Sequence, residues 1–320
     1  AGLALAPESQ ARVELLWLQA TNTFRRDALD TLAPTVSREA EASAPYSAAG
    51  ICLKIALGNI ERMRGNIGAA ARHLTMAYRE SDAPSLVGPH MEAARLLARL
   101  LGDAGNVSAA LQLNQQVIEF ETANQQEFLL GFAHGFRGIY LNRAKRFDEA
   151  LPELGHAIAA ARKFGDPMGE AYLNQQICSA EIGLKQWASA RNHCNLSGTA
   201  LEQRKDDGFY QTQVLLAEID LAEQDPAGAK ARLTRVINEA NGSSSVNQFE
   251  PFRLRAEANK HLGDVAAALD DYRHYMQGFE GWSAATRDRE AVVSEERFQT
   301  DLQVARNRAL DEALKYEREN

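Results

Sequence analysis

The sequence predicts an all-α fold, a right-handed α-solenoid of about seven helical hairpins closed by a long C-terminal helix, and three observations predict it. Ala70, Ala110, Ala150, Ala190, Ala229 and Ala268 recur at spacings of 40, 40, 40, 39 and 39 residues. Twelve positions before each stands another small residue: Gly58, Ala98, Gly138, Cys178, Ala217 and Ala256. About five positions before each lies a polar or glycine turn: Gly65-Asn66, Gly105-Asn106, Lys145-Arg146, Lys185-Gln186, Gln224-Asp225 and Gly263-Asp264. Two small side chains flanking a turn let the two helices of a hairpin cross at close range. Such a hairpin cannot bury its apolar face alone, so copies at a fixed period stack.

The elements follow in order. Residues 8 to 45 read as a degenerate first hairpin, with Leu15, Leu16 and Leu18 on one helix, Asn22-Thr23 at the turn, and Ala28, Leu29 and Leu32 on the other. Pro34 is expected to kink that second helix, and Pro45 shifts the register before the regular repeats begin. Six regular hairpins come next, punctuated by Asp82-Ala83-Pro84, Gly165-Asp166-Pro167, Asp206-Asp207-Gly208 and Asn241-Gly242-Ser243. Pro167 and Pro226 stand at first-turn positions, where a proline is tolerated. Within one repeat, Ala150, Leu151, Leu154, Ala157, Ile158 and Ala161 trace a helical apolar face. Residues 1–282 are therefore assigned to the repeat solenoid and 283–320 to a charged capping or linker helix. The latter has sixteen charged residues in thirty-eight and no glycine or proline, which marks a largely solvated helix. Phe298, Leu302, Ala305 and Ala309, spaced 4, 3 and 4, are its expected seam, used either to cap the last apolar face or to dimerise.

Composition narrows the function classes. The formal net charge of −8 argues against a nucleic-acid partner, which requires a basic stripe. No stretch is apolar for eighteen residues, so no membrane span is expected. Cys178 and Cys194 fall on the two helices of one hairpin, which allows their sulfurs to be near neighbours, but they read as small buried packing residues, and free thiols lean towards a reducing cytoplasm. The opening Ala4-Leu5-Ala6 is similar to the end of a signal peptide, which keeps a periplasmic location as the alternative, although Pro7 fits a cleavage site poorly.

The alanine and small-residue scheme resembles the tetratricopeptide repeat, in a long variety of about 40 residues. The stretch His261-Leu262-Gly263-Asp264 through Ala268-Leu269 and Tyr272 looks like the last repeat of sensory regions in bacterial diguanylate cyclases. The tail Glu296-Arg297-Phe298-Gln299-Thr300-Asp301, with Arg306-Asn307 and Tyr316 to Asn320, is similar to the helix joining such regions to the cyclase. No GGDEF or GGEEF signature occurs here, so the resemblance implies a sensory fragment, with c-di-GMP synthesis in an output domain beyond Asn320 and a homodimer through the C-terminal helix in the intact protein.

No catalytic motif is present: no phosphate loop, GxSxG elbow or HExxH pair, and no metal set or cofactor is expected from the seven histidines. The chain is thus expected to bind rather than catalyse, taking a peptide, protein or small molecule in the groove lined by the first helices. Positions eighteen, fifteen and eleven before each anchor share one helix face, and their stripes include Glu92/Arg95/Arg99, Phe132/Gly135/Ile139, Tyr172/Gln175/Ser179, Gln211/Val214/Glu218 and Glu250/Arg253/Glu257. Arg95 and Arg99 are candidates to anchor a carboxylate, Phe132 and Tyr172 to offer aromatic faces, and Asn142 and Gln175 to bind extended backbone. Chaperone-type recognition of a C-terminal carboxylate is disfavoured, because the positions that need Lys and Asn hold Ile55, Asn59, Leu96, Phe132 and Phe136, of which only the asparagine fits. A passive adaptor is the competing reading.

Overall fold

A computed structural model describes residues 26–44, 46–240 and 248–319. The expected helix carrying Leu15, Leu16 and Leu18 lies outside them. Among the described residues the regular elements are helices: α1 (Arg26–Ala42), α2 (Ala48–Arg64), α3 (Ile67–Glu80), α4 (Val87–Asp103), α5 (Val107–Ala123), α6 (Glu127–Arg143), α7 (Phe147–Phe164), α8 (Pro167–Gly183), α9 (Trp187–Gln203), α10 (Gly208–Ala222), α11 (Pro226–Glu239), α12 (Glu250–His261) and α13 (Val265–Glu319), with a 3-10 turn at Pro84–Leu86 before α4.

Each hairpin turn falls where the sequence places it, for a specific backbone reason. Gly65, Gly105, Lys145, Lys185, Gln224 and Gly263 all adopt positive φ, between 58° and 99°. A left-handed residue lets its own amide and the next one fold back on the helix end and satisfy its last carbonyls. Lys185 N donates to Ile182 O at 2.9 Å and Gln186 N to Glu181 O at 2.8 Å, and the same pair of bonds closes the other five turns. Two helices, α8 and α11, start on side-chain caps at Asp166 and Asp225, which accept from Gly169 N (2.8 Å) and Gly228 N (2.9 Å) ahead of Pro167 and Pro226.

The chain divides into two compact units. One comprises the described residues up to 120 together with those from 286 onward. Its core begins where Leu29, Ala33 and Val36 of α1 meet Leu53, Ala56, Leu57 and Ile60 of α2, and α2 also packs against α4. The distal part of α13 buries Val293, Thr300 and Val304. It lies so close to α3 that a methyl on Gly68 would stand 3.1 Å from Val292 Cγ1. Arg72 holds Glu296 through two bonds of 3.0 and 3.2 Å, Arg79 holds Asp301 at 2.7 and 3.0 Å, and Arg308 donates to the Arg79 carbonyl at 2.6 Å.

The expected seam residues do not make this contact. Phe298 (57%) and Leu302 (37%) are exposed, as are Ala305 and Ala309. The buried line is Val293–Thr300–Val304; over the same stretch Val292 faces Gly68, and Glu296 and Asp301 pair with Arg72 and Arg79 of α3, over two hundred residues away in sequence. α13 itself is continuous across residue 282, where the sequence reading begins a separate helix.

The second unit spans residues 121–285. Its first helices α6, α8, α10 and α12 contact one another in succession; α6, α8 and α10 pack on their hairpin partners, and Arg255 and Asn259 of α12 bond Asp271 on α13. The anchors Ala150, Ala190 and Ala229 are fully buried. A methyl on Gly138 would stand 2.5 Å from Leu154 Cγ, and in the first unit one on Gly58 would meet Leu74 Cγ at the same distance. Each pair joins the position twelve before an anchor to the position four after it. In the next hairpin of the second unit those two positions are Cys178 and Cys194, which form a disulfide with a Cα–Cα distance of 5.4 Å. The expectation of two separate buried thiols is therefore overturned, for the same close crossing brings the sulfurs together.

The crossing yields a paired prediction. Replacing Gly138 by Ala gains at most about 1 kcal/mol of helix propensity but overpacks the Leu154 contact, at a cost of about 1–3 kcal/mol. Gly155, in the middle of α7, has nothing within 4 Å of a would-be Cβ. Denaturant melts should show Gly138→Ala destabilised and Gly155→Ala stabilised by up to about 1 kcal/mol.

Candidate functional site

The first helices of the second unit share a repeating face with a consistent fate. Positions fifteen before the anchor (Gly135, Gln175, Val214) are buried where neighbouring first helices meet. Positions eighteen before remain accessible, with Phe132 43% and Tyr172 39% exposed. Phe132 belongs to an aromatic patch, edge-to-face with Phe128 at 5.0 Å, and Phe128 in turn meets Phe164 at 5.3 Å. The four-residue spacing of Phe128, Phe132, Phe136 and Tyr140 drifts around the helix, so the first two are exposed while Tyr140 is 1% exposed.

The polar candidates are engaged in joining repeats. Gln175 donates from Nε2 to Gly208 O (2.9 Å) and Thr212 Oγ1 (2.8 Å) and is only 5% exposed, so the expected groove contact is instead a link from α8 to α10. Asn142 Nδ2 donates to Gln176 O at 2.9 Å, linking α6 to α8. Tyr172 keeps its ring face accessible while its hydroxyl donates to Asp206 Oδ1 at 2.6 Å. Burial and that carboxylate together push its phenol well above the ordinary range.

Arg95 and Arg99 lie on α4 in the first unit, whereas the other four candidates lie in the second. Arg95 forms an ion pair with Glu92 one turn earlier on α4. Both arginines are half-buried.

Along α10 and α12 the accessible positions turn acidic. Glu218 is half-buried, and desolvation raises its carboxyl above the usual range, with Glu250 adding to the rise and Arg253 opposing it. Arg253 pairs with Glu250. Glu257 accepts a bond from the Tyr272 hydroxyl, which lowers its pKa. Aromatic rings on α6 and α8 are thus followed by carboxylates on α10 and α12.

A further set escaped the sequence reading, which expected no metal ligands. His134 on α6 and Glu153 and His156 on α7 place their donor atoms within 4.8 Å of one another. Two helices contribute, so no contiguous motif announces them. The one linear signal is Glu153-x-x-His156, which puts two donors on one helix face.

No protein-family model matches the chain, and no curated protein matches it in sequence. Solved structures do resemble it. The apo form of RapI is 14% identical, with a TM-score of 0.63 over 85% of this chain and 99% of that one. A Rap protein complexed with Competence and Sporulation Factor is also 14% identical, with a TM-score of 0.60 over 92% and 86%. The tetratricopeptide-repeat sensor protein PH0952 of Pyrococcus horikoshii, a signal transduction ATPase with numerous domains, is 11% identical with a TM-score of 0.59, covering 89% of this chain and 44% of that one. At these identities the likeness is one of fold, and it places the chain among tetratricopeptide-like helical repeats.

Glu218 supplies a pH test. Because its folded-state pKa is raised, the stability it contributes is full at acid pH and lost as pH rises through the folded-state value. Glu218→Gln should therefore be more stable than the wild type at pH 7, and the difference should shrink as the pH falls towards 4, as read by thermal melts at both values.

Proposed function

We propose that the chain is a non-catalytic regulatory repeat module that holds an extended segment of a peptide or protein partner across the first helices of its second unit. The observation that carries this reading is the accessible line running from Phe132 and Tyr172 towards Glu218, Glu250 and Glu257. Exposed aromatic rings on a rigid element are suited to receive an apolar anchor, and the following carboxylates favour basic residues in the same segment. Backbone polar groups within the hairpins are already satisfied by the helices. Specificity therefore comes from side chains.

The fold neighbours support a regulatory rather than a catalytic reading: one is a Rap protein in complex with Competence and Sporulation Factor, another a signal transduction protein with a repeat sensor. They lend no support to a diguanylate cyclase output, which rests only on the resemblance of the last repeat and the tail, so the proposal assigns no output chemistry. An apolar line of Phe298, Leu302 and Leu310 on α13 favours pairing of two such helices in a longer protein. The Cys178–Cys194 bridge favours an oxidising compartment, and with it the periplasmic alternative over the cytoplasm. Arg95 and Arg99 are retained as a second anion-binding position in the first unit, separate from the aromatic and acidic line.

A fluorescent library of ten-residue peptides, varied in one aromatic or aliphatic side chain and in the number of flanking Lys and Arg, tests the proposal. Binders should combine an apolar anchor with basic flanks, lose affinity at high salt, and weaken at least about tenfold on Phe132→Ala. Binding that prefers acidic flanks, or that Phe132→Ala leaves intact, would remove this assignment.

A further inference from the structure

The geometry points to a surface site for a divalent transition-metal ion of the zinc class, held by His134, Glu153 and His156 across the two helices of one hairpin. Two imidazoles and a carboxylate are the donor set that suits zinc and its first-row neighbours. His134 Nδ1 lies 2.5 Å from Glu153 Oε2, the His134 and His156 rings are 4.9 Å apart, and the three donors fit within 4.8 Å. With metal–ligand bonds of about 2.0–2.2 Å, donors around a tetrahedral ion stand roughly 3–3.5 Å apart. The observed separations bracket that value, so side-chain rotation is sufficient to close the site.

The carboxylate is already oriented. Arg137 Nε donates to Glu153 Oε1 at 3.1 Å, which fixes the plane of the group and leaves Oε2 directed at His134. Outer partners of this kind commonly orient a ligand for its ion. His156 is exposed, which gives an ion access from solvent. Three protein donors leave at least one coordination position for water or for a side chain of a bound partner.

A hydrogen-bonded His134–Glu153 pair alone needs no ion. The same two repeat positions are bridged elsewhere in the second unit by Arg232 donating to Gln213 at 2.7 Å, so a polar contact there is ordinary. The third donor sets this hairpin apart. At the repeat position of His134 the other hairpins carry Lys54, Ala94, Asn174, Gln213 and Phe252, so none repeats the set. An ion bound here would tie α6 to α7 in this hairpin, as the disulfide ties α8 to α9 in the next.

The test uses the full chain without an affinity tag, stripped with chelator and titrated with Co2+ by visible absorption, then with Zn2+ as competitor. The expected result is one equivalent of Co2+ with d–d bands in the visible, displaced by Zn2+, and a melting temperature raised by Zn2+. His156→Ala, His134→Ala and Glu153→Gln should each weaken binding at least about tenfold and abolish the Zn2+ shift, while His193→Ala leaves both unchanged. His156 is exposed, so His156→Ala decides the matter even if His134→Ala disturbs the fold. Absence of saturable binding below millimolar Zn2+ would overturn the assignment, as would binding that survives His156→Ala.

Discussion

The two helices of each hairpin cross where one of the meeting residues has little or no side chain, and the rest of the architecture depends on that approach. Gly58 under Leu74 and Gly138 under Leu154 leave no room for even a methyl group. In the hairpin of α8 and α9 the same positions hold Cys178 and Cys194, and the approach is close enough for a covalent bond. A fixed crossing point sets the length from crossing to turn, so a left-handed residue falls at the same place in every repeat. Where that residue is Gly it costs little, whereas Lys145, Lys185 and Gln224 hold positive φ against their steric preference. Their retention of the geometry shows that packing overrides local conformational preference here.

The crossing also decides which side chains are left for function. Once successive first helices are drawn together, the middle line of their shared face is buried, and its polar members become links between repeats. Gln175 and Asn142 are used in this way, committing their amides to the neighbouring helix. What remains accessible is aromatic on α6 and α8 and acidic on α10 and α12. The binding reading therefore rests on ring faces and charge, with little contribution from directional hydrogen bonds.

The anchors, turns and hairpin boundaries were legible in the sequence because each repeat states them again: a local pattern of small residue, turn and small residue recurs six times. Features that depend on a single long-range contact were not legible. The heptad spacing of Phe298, Leu302, Ala305 and Ala309 is a sound helical stripe, yet the residues buried within this chain are Val293, Thr300 and Val304, on a stretch of α13 held along α3 by Arg72 and Arg79. Helical periodicity put Gln175 on the correct face of α8 but could not reveal that α10 covers it. The His134, Glu153 and His156 set needed two helices brought together, with the first and second donors nineteen positions apart. The disulfide was partly legible: the hairpin assignment makes neighbours of Cys178 and Cys194, while the closeness of the crossing shows only where Gly138 meets Leu154 at the same two positions.

The most direct measurement of the central claim transplants that contact. In a chain with Cys52→Ser, the pair Gly138→Cys and Leu154→Cys places two thiols at the positions that Cys178 and Cys194 occupy one repeat later, where a Cα separation within about 4.4–6.8 Å permits a bridge. If every hairpin crosses at the same point, mild oxidation should yield two intramolecular disulfides by intact mass and peptide mapping, one joining positions 138 and 154 and the other the native Cys178–Cys194 bridge. A native bridge accompanied by two persistently alkylatable thiols at positions 138 and 154 would contradict the shared crossing.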